Sequence, residues 1–584
     1  MESKHLPFDK VDITGGFYRE KQELNEKVTL GCVYDRFAET GRIGAFEMDY
    51  KEGEPNRPHY FWDSDVAKWM ESAAYILQKK RDPELEAKID HLVDCIEKNR
   101  MDDGYFNIYF ELFCPEKRFT DRDCHELYCA GHLLEAAIAY EKATGKGKFL
   151  SLMKDYTELI DRVFRVEDSA GFSSPGHEEI ELALVKLYDH TGEKKWLDLA
   201  LHFVEMRGRG QKPGKDSLHS NYTQDHLPVR EQLTAEGHAV RACYFYSAVA
   251  DLAKRTGDES LKATAKRLFD NITERKMYLT GAVGSTAAGE AFEGDFVLPL
   301  DTAYAETCAT LSLALFARRM SELDDDAKYA DVIERVIYNG FLSGLSLDGR
   351  SFFYENAQKI DLKHRKEGVH YPITERVAVF GCSCCPPNVT RFIASVGDFL
   401  YNYNNKTVYV NQYMQSRAEI NGAVIEQITD YPYGGKIQVK VTGRVNDFAL
   451  RIPSQCRTFT VDKDGRLVNG YYHTGPVEND TVTLDFQSEP QYVSPDERNE
   501  YCKGKAAVTY GPFVLCAEGV DNGGDLDNIT LTKEKATVNF DGAFAGFDVT
   551  VPALKNGKPY ELKMIPYYAF ANRGETDMSV WFDM

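Results

Sequence analysis

One pattern constrains the 584-residue chain more than any other. Six times in the first four hundred residues an apolar run at helical spacing opens and then stops at a turn, and four of the six open on a histidine or a glutamate. These runs open at Trp62, His125, His177, His238, Glu306 and Pro386. Three of them end in the same dipeptide, Thr144-Gly145, Thr191-Gly192 and Thr256-Gly257, where the glycine suits a helix C-cap. Pro386 and Pro387 suit a helix start. Six more amphipathic segments alternate with the first set, at about 19–38, 83–98, 147–164, 193–206, 258–275 and 326–344. Alternating helical hairpins in this number predict an (α/α)6 barrel, a toroid, over residues 11–402. An open helical solenoid is the other architecture the pattern allows.

Beyond residue 402 the texture changes to short β-type runs between Gly, Asn, Asp and Pro turns, such as KTVYVNQY, KIQVKVTG, DFALRIPS and DTVTLDFQ. This predicts a β-sandwich over 403–505, with a strand from residues 1–10, and a second all-β segment over 506–584. A net charge of −22 makes nucleic acid and anionic membrane poor partners and leaves neutral substrates and cations compatible. No apolar run reaches the length of a signal peptide or membrane span, so the expected compartment is the cytoplasm, with the thirteen cysteines mostly reduced.

Two segments carry the strongest chemical signal: Tyr304-Ala305-Glu306-Thr307-Cys308 and Gly381-Cys382-Ser383-Cys384-Cys385-Pro386. Thiolates with a carboxylate can build a tetrahedral Zn²⁺ site, although the spacing is not that of a zinc finger or ribbon. A buried thiol cluster accounts for the same residues. A cysteine at a helix N-terminus is more acidic than usual, so one of these thiols could be a nucleophile. His125, His177 and His238 open successive repeats. A single histidine there is usually a cap, but three equivalent ones point to a shared pocket. Glu290, in the Gly-rich loop from Gly284, is either a solvated acid or a general acid kept protonated beside apolar residues such as Phe292.

The motifs FWDSDVAKWMESAAY, CHELYCAGH, GHEEIELALVKLY, EGHAVRA, GSTAAGEAF, ETCAT, SFFYENA, CSCCPPN and TDYPYGGKIQV, spread over nearly the whole chain, resemble glycoside hydrolase family 127. That family is known for retaining β-L-arabinofuranosidases. The resemblance implies an (α/α)6 barrel followed by β-sandwiches. It implies zinc ligands Glu306, Cys308, Cys384 and Cys385, a nucleophile at Cys384 and an acid/base at Glu290. It implies sugar contacts from His125, His177, His238 and Tyr354. The expected substrate is a small oligosaccharide or arabinoside cleaved from its non-reducing end, and a homodimer is a candidate assembly. The chain is shorter than the fullest members of the family, in which a C-terminal sandwich contributes to dimer contacts. The family also includes hydrolases of other plant-derived sugars, among them an acidic branched sugar of pectin, so that substrate is an alternative. A toroid sugar isomerase or lyase, and a carbohydrate-binding protein with a structural zinc, are the alternatives from other classes.

Overall fold

The computed structural model describes residues 3–209 and 221–584. The chain divides into two compact units, one formed by 24–269 and 378–395, the other by the chain up to Glu23, 270–377 and 396–584.

The first unit is helical. Helix Trp62–Lys79 packs against Glu126–Thr144, which packs in turn against Ile180–Thr191, and Ile180–Thr191 against Ala239–Thr256. These are the apolar runs of the sequence repeat. Every side chain from Glu126 to Tyr140 is buried, which explains why that segment has no amphipathic stripe. Each fully buried Leu or Ile in such a helix contributes about 1.5–3 kcal/mol. The partner helices Pro83–Asn99, Lys148–Asp161 and Lys194–Met206 bury one face only. Gly145, Gly192 and Gly257 cap their helices in the left-handed region at φ 74°, 72° and 68°. Gly131 serves close packing: a Cβ there would stand 3.0 Å from the Ile180 Cα.

The last repeat departs from its sequence pattern. Helix Cys385–Ala394 stops well short of the apolar run that continues to Tyr403, and Tyr401–Tyr403 is a strand. The chain must pass close to the N-terminal segment at Gly397, where a Cβ would lie 3.1 Å from the Phe8 Cα. There the chain tightens into the 3-10 turn Val396–Phe399 before it enters the strand.

The second unit combines helices Gly16–Leu24, Thr307–Ser321 and Lys328–Arg335 with three large sheets. The first six-stranded sheet runs Lys4–His5, Tyr401–Tyr403, Thr407–Val410, Asp447–Arg451, Tyr471–His473 and Arg466–Val468. The second runs Phe459–Val461, Val477–Phe486, Lys436–Val445, Ala423–Thr429, Ser416–Ile420 and Val11–Ile13. The N-terminal segment thus gives a strand to each, with Lys4 opposite Tyr403 and Val11 opposite Ala418. Ile437, Val439 and Val441 on one strand and Val482 and Leu484 on its neighbour are buried, the period-two pattern of a half-buried strand.

The third sheet has ten strands and is built around the hairpin Asp548–Lys555 and Lys558–Pro566. Asn556 and Gly557 turn it with φ values of 52° and 73°, the geometry of a type I′ hairpin turn. At the far edge, Lys359–Ile360 pairs with Met578–Ser579, which fixes the segment just after Tyr354.

Arg451, fully buried, joins helix Lys328–Arg335 to the first sheet. It reaches Asp331 at 2.7 Å and Glu334 closer still. Removing one partner of a buried pair leaves an uncompensated charge, at a cost of about 3–5 kcal/mol. Glu334→Ala is therefore expected to lower the melting temperature by several degrees in calorimetry, whereas Glu426→Ala, on an exposed strand pair, should leave it unchanged.

Candidate active site

Within the helical unit, the three histidines expected to line a pocket do converge. The ring centroids of His125 and His177 are 5.5 Å apart and those of His177 and His238 5.6 Å apart. His125 and His238 occupy the N-cap positions of Glu126–Thr144 and Ala239–Thr256, and His177 lies just before Ile180–Thr191. His125 holds φ at +57°, a costly conformation for a non-glycine residue and one concentrated at functional sites. Tyr128 lies against His177 at 4.1 Å, and Tyr60 and Phe61 flank His125 at 5.5 and 6.0 Å.

His125 and His177 are neutral near physiological pH. Burial, then the Arg241 guanidinium, push His125 down to about 3, and the same two causes push His177 well below its ordinary value. Their hydrogen bonds fix the tautomers. Nδ1 of His125 donates to the Asp123 carbonyl at 2.6 Å, and Nδ1 of His177 to the Glu178 carbonyl at 3.1 Å. Nδ1 of His238 instead accepts from the Val240 amide at 3.2 Å. Nε2 is therefore an acceptor on His125 and His177 and a donor on His238. Arg241 is anchored by the Gly176 carbonyl at 2.6 Å and stacks over Tyr222 at 4.4 Å.

The same unit carries the cysteine pair. Cys384 is the N-cap of Cys385–Ala394, and the two Sγ atoms are 3.8 Å apart. None of the thirteen cysteines, all among the described residues, is in a disulfide. The pair is held from both sides. Before it, Arg42 donates to the carbonyls of Gly381 at 2.8 Å and Phe380 at 3.2 Å and pairs with buried Asp65 at 3.0 Å. After it, Arg391 donates to Asn388 at 2.7 Å, Glu71 at 2.7 Å, Glu135 at 3.0 Å and the Tyr244 hydroxyl at 2.8 Å. Lys186 completes this buried network on Glu135 at 2.5 Å. Glu71, His132 and Glu135 also lie together, but these two cations already neutralise both carboxylates.

In the other unit, Glu306 is the N-cap of Thr307–Ser321, and Ala305 before it holds φ at +44°. Asn356 clamps this turn to the segment of Tyr354: its amide donates to the Ala305 carbonyl at 2.9 Å and to the Thr307 hydroxyl at 3.0 Å. The Thr307 amide donates to the Tyr354 carbonyl at 2.9 Å. The Tyr354 hydroxyl donates to Glu290 at 3.2 Å, and Glu290 also has positive φ, +53°. Glu355 lies beside them. Burial raises its carboxyl, His370 at 2.8 Å opposes that, and the Glu290 charge raises it further. Glu306, Cys308, Cys385, His177 and His238 are buried, whereas Cys384, Glu290, His125 and Tyr354 keep partial exposure.

Glu355, Asn356, Arg391, Arg241 and Tyr128 were not singled out from sequence. Arg391 follows the cysteine pair by two turns of one helix, and Glu355 and Asn356 follow Tyr354 directly, so adjacency was the signal available.

Residues 10–398 match the sequence model of the β-L-arabinofuranosidase catalytic domain of family 127, 407–482 that of its middle domain and 490–583 that of its C-terminal domain. The chain belongs to glycoside hydrolase family 127. As a member it is a glycosidase that hydrolyses glycosidic bonds. It is 37% identical to a non-reducing end β-L-arabinofuranosidase of Bifidobacterium longum subsp. longum, covering 89% of each chain. It is similar to a solved family-127 β-L-arabinofuranosidase of Geobacillus stearothermophilus T6, with TM-score 0.90, 37% identity and 98% of this chain and 99% of that one covered. A second solved family-127 β-arabinofuranosidase gives TM-score 0.91 at 34% identity over 100% of this chain and 98% of that one. The fold class is that of these structures, an (α/α)6 barrel followed by β-sandwich domains. The chain's candidate metal ligands are divided between the two units, Cys384 and Cys385 in the helical one and Glu306 and Cys308 in the other. No helix among its described residues is long and apolar enough to cross a membrane.

Proposed function

We propose that this glycosidase releases L-arabinofuranose from the non-reducing ends of β-linked arabinosides with retention of configuration, using Cys384 as nucleophile and Glu290 as acid/base. The observation that carries the reading is the cysteine pair, half-exposed Cys384 beside buried Cys385 at one helix N-terminus, in a chain 37% identical to a β-L-arabinofuranosidase.

Glu306, Cys308, Cys384 and Cys385 would hold Zn²⁺. Three thiols and a carboxylate are a donor set that zinc favours. The Sγ separation of 3.8 Å fits as well: two thiolates at about 2.3 Å from a tetrahedral ion stand about 3.8 Å apart. A bound zinc ion would keep these thiols ionised at neutral pH.

The remaining chemistry belongs to the chain. Cys384 Sγ forms a bond to the anomeric carbon while the bond from that carbon to the leaving oxygen breaks, and Glu290 gives its proton to that oxygen. Glu290 then takes a proton from water as the water oxygen bonds to the anomeric carbon and the carbon–sulfur bond breaks. Two displacements at one carbon retain its configuration. The Tyr354 hydroxyl orients the Glu290 carboxyl. The three histidines offer both acceptors and a donor, which suits the hydroxyls of an uncharged sugar. In this reading residues 11–402 are catalytic, 403–505 the first sandwich and 506–584 the C-terminal β segment. The enzyme acts in the cytoplasm, as a homodimer.

A panel of p-nitrophenyl glycosides tests the substrate, and proton NMR of the anomer formed first tests the stereochemistry. Turnover of the β-L-arabinofuranoside with the β-anomer first is expected. The α-anomer first would overturn the nucleophile, and turnover of another glycoside alone would overturn the sugar. The Glu290–Glu355 repulsion gives a further expectation. In Glu355→Gln the neighbouring negative charge is gone, so Glu290 ionises more easily and its pKa falls. The alkaline limb of kcat/KM against pH should move to lower pH. An unmoved limb would show that the two carboxyls are not coupled.

A further inference from the structure

Away from the residues assigned to catalysis, the unit containing the three sheets has a cavity of about 350 Å³ between helix Lys328–Arg335, the loop after Asp447–Arg451 and the hairpin of Lys505–Tyr510 and Phe513–Glu518. That volume lies in the range of small-molecule sites. Its charge is unusual for a chain of net charge −22. Two guanidiniums line it, Arg335 within and Arg457 at the exposed rim, and neither makes an ion pair or side-chain hydrogen bond among the described residues. The two acids on the wall, Asp331 and Glu334, are already committed to Arg451. Burial lowers the Arg335 pKa, and the nearby Asp331 and Glu334 charges offset that only in part. A largely desolvated cation with no carboxylate in contact is costly unless something supplies the anion.

The rest of the lining suits a sugar ring. Tyr492 is half-exposed, with its hydroxyl tied to the Glu534 carbonyl at 2.8 Å, so the ring is held in place. Gln455 and Gln491 are also held: the Gln455 amide donates to Glu334 at 2.7 Å, and the Gln491 amide to the Gln455 carbonyl at 3.1 Å. Their side-chain oxygens, with the Ser454 hydroxyl, supply neutral acceptors and a donor along one wall.

We propose that this cavity is a second saccharide site, separate from the catalytic residues, which takes a sugar carrying a carboxylate. Arg335 and Arg457 would engage the carboxylate, for which the guanidinium fork is the matching donor geometry. Tyr492 would cover a face of the ring. A family-127 glycosidase with such a site would hold an oligosaccharide that carries an acidic residue as well as the arabinose to be released.

Titration calorimetry of the full chain with D-galacturonate, D-galactose and inorganic phosphate tests this. Saturable binding of galacturonate is expected, weakening as salt rises, with galactose and phosphate at least tenfold weaker. Arg335→Gln and Arg457→Gln should each weaken galacturonate binding tenfold or more and leave hydrolysis of p-nitrophenyl β-L-arabinofuranoside unchanged. If Arg335→Gln does not fold, the rim variant Arg457→Gln carries the test alone. Phosphate binding as tight as galacturonate would make this a simple anion site. Absence of galacturonate binding, or binding that survives both substitutions, would also overturn the proposal.

Discussion

Cys384→Ser is expected to lower kcat on p-nitrophenyl β-L-arabinofuranoside by about 10⁴-fold or more while the protein stays folded and keeps its zinc. Serine preserves the shape of the side chain and an atom able to ligate, but its hydroxyl oxygen is a far weaker nucleophile than cysteine sulfur. The surroundings that hold this residue do not depend on its sulfur. Arg42 fixes the Gly381 carbonyl before it, and Arg391 ties the helix after it to Glu71 and Glu135. Circular dichroism and metal analysis should therefore match the parent enzyme. Cys456→Ser, whose thiol donates to the Thr458 carbonyl, should retain full activity. Parental kcat in a zinc-replete Cys384→Ser would remove this residue from the chemistry.

Glu290→Ala should produce the second largest effect, and one that depends on the leaving group. General acid assistance is worth about 10²–10⁴-fold. An alkyl arabinoside, whose leaving oxygen needs the proton, should lose nearly all turnover. An aryl arabinoside with an acidic phenol should lose far less in the first step and then stall, because no base activates water. Azide needs no base, so it should accelerate turnover of the aryl substrate and give the β-arabinosyl azide. The Tyr354 hydroxyl, at 3.2 Å from the carboxyl, should matter less, since it orients the acid rather than supplying the proton. Equal losses on both substrates, with no response to azide, would remove Glu290 from the acid/base role.

Much of this was legible in the chain because the signals were local. The Thr-Gly endings mark C-caps that the structure forms at Gly145, Gly192 and Gly257. The histidines that open the runs sit at helix starts and meet, because each inner helix begins at an equivalent place. What escaped was long-range. The turn Val396–Phe399 that follows the last helix packs at Gly397 against Phe8, nearly four hundred residues away in sequence. The pairing of Lys359–Ile360 with Met578–Ser579, which anchors the Tyr354 segment, has no local trace. Nor does the Arg391 network, whose members come from four other helices. The hairpin around Asn556-Gly557 is different: two alternating runs joined by Asn-Gly are a strong turn signal, and that one could have been read.

The sulfur at position 384 is the point on which the rest depends, and mass spectrometry can look at it directly. Rapid acid quench of the enzyme turning over an activated β-L-arabinofuranoside, followed by peptide mapping, should find one anhydropentose on the peptide containing Cys384, absent without substrate and absent in Cys384→Ser. An adduct on Glu290, Glu355 or another cysteine, or steady turnover with no adduct under conditions where the second step is slow, would contradict the account.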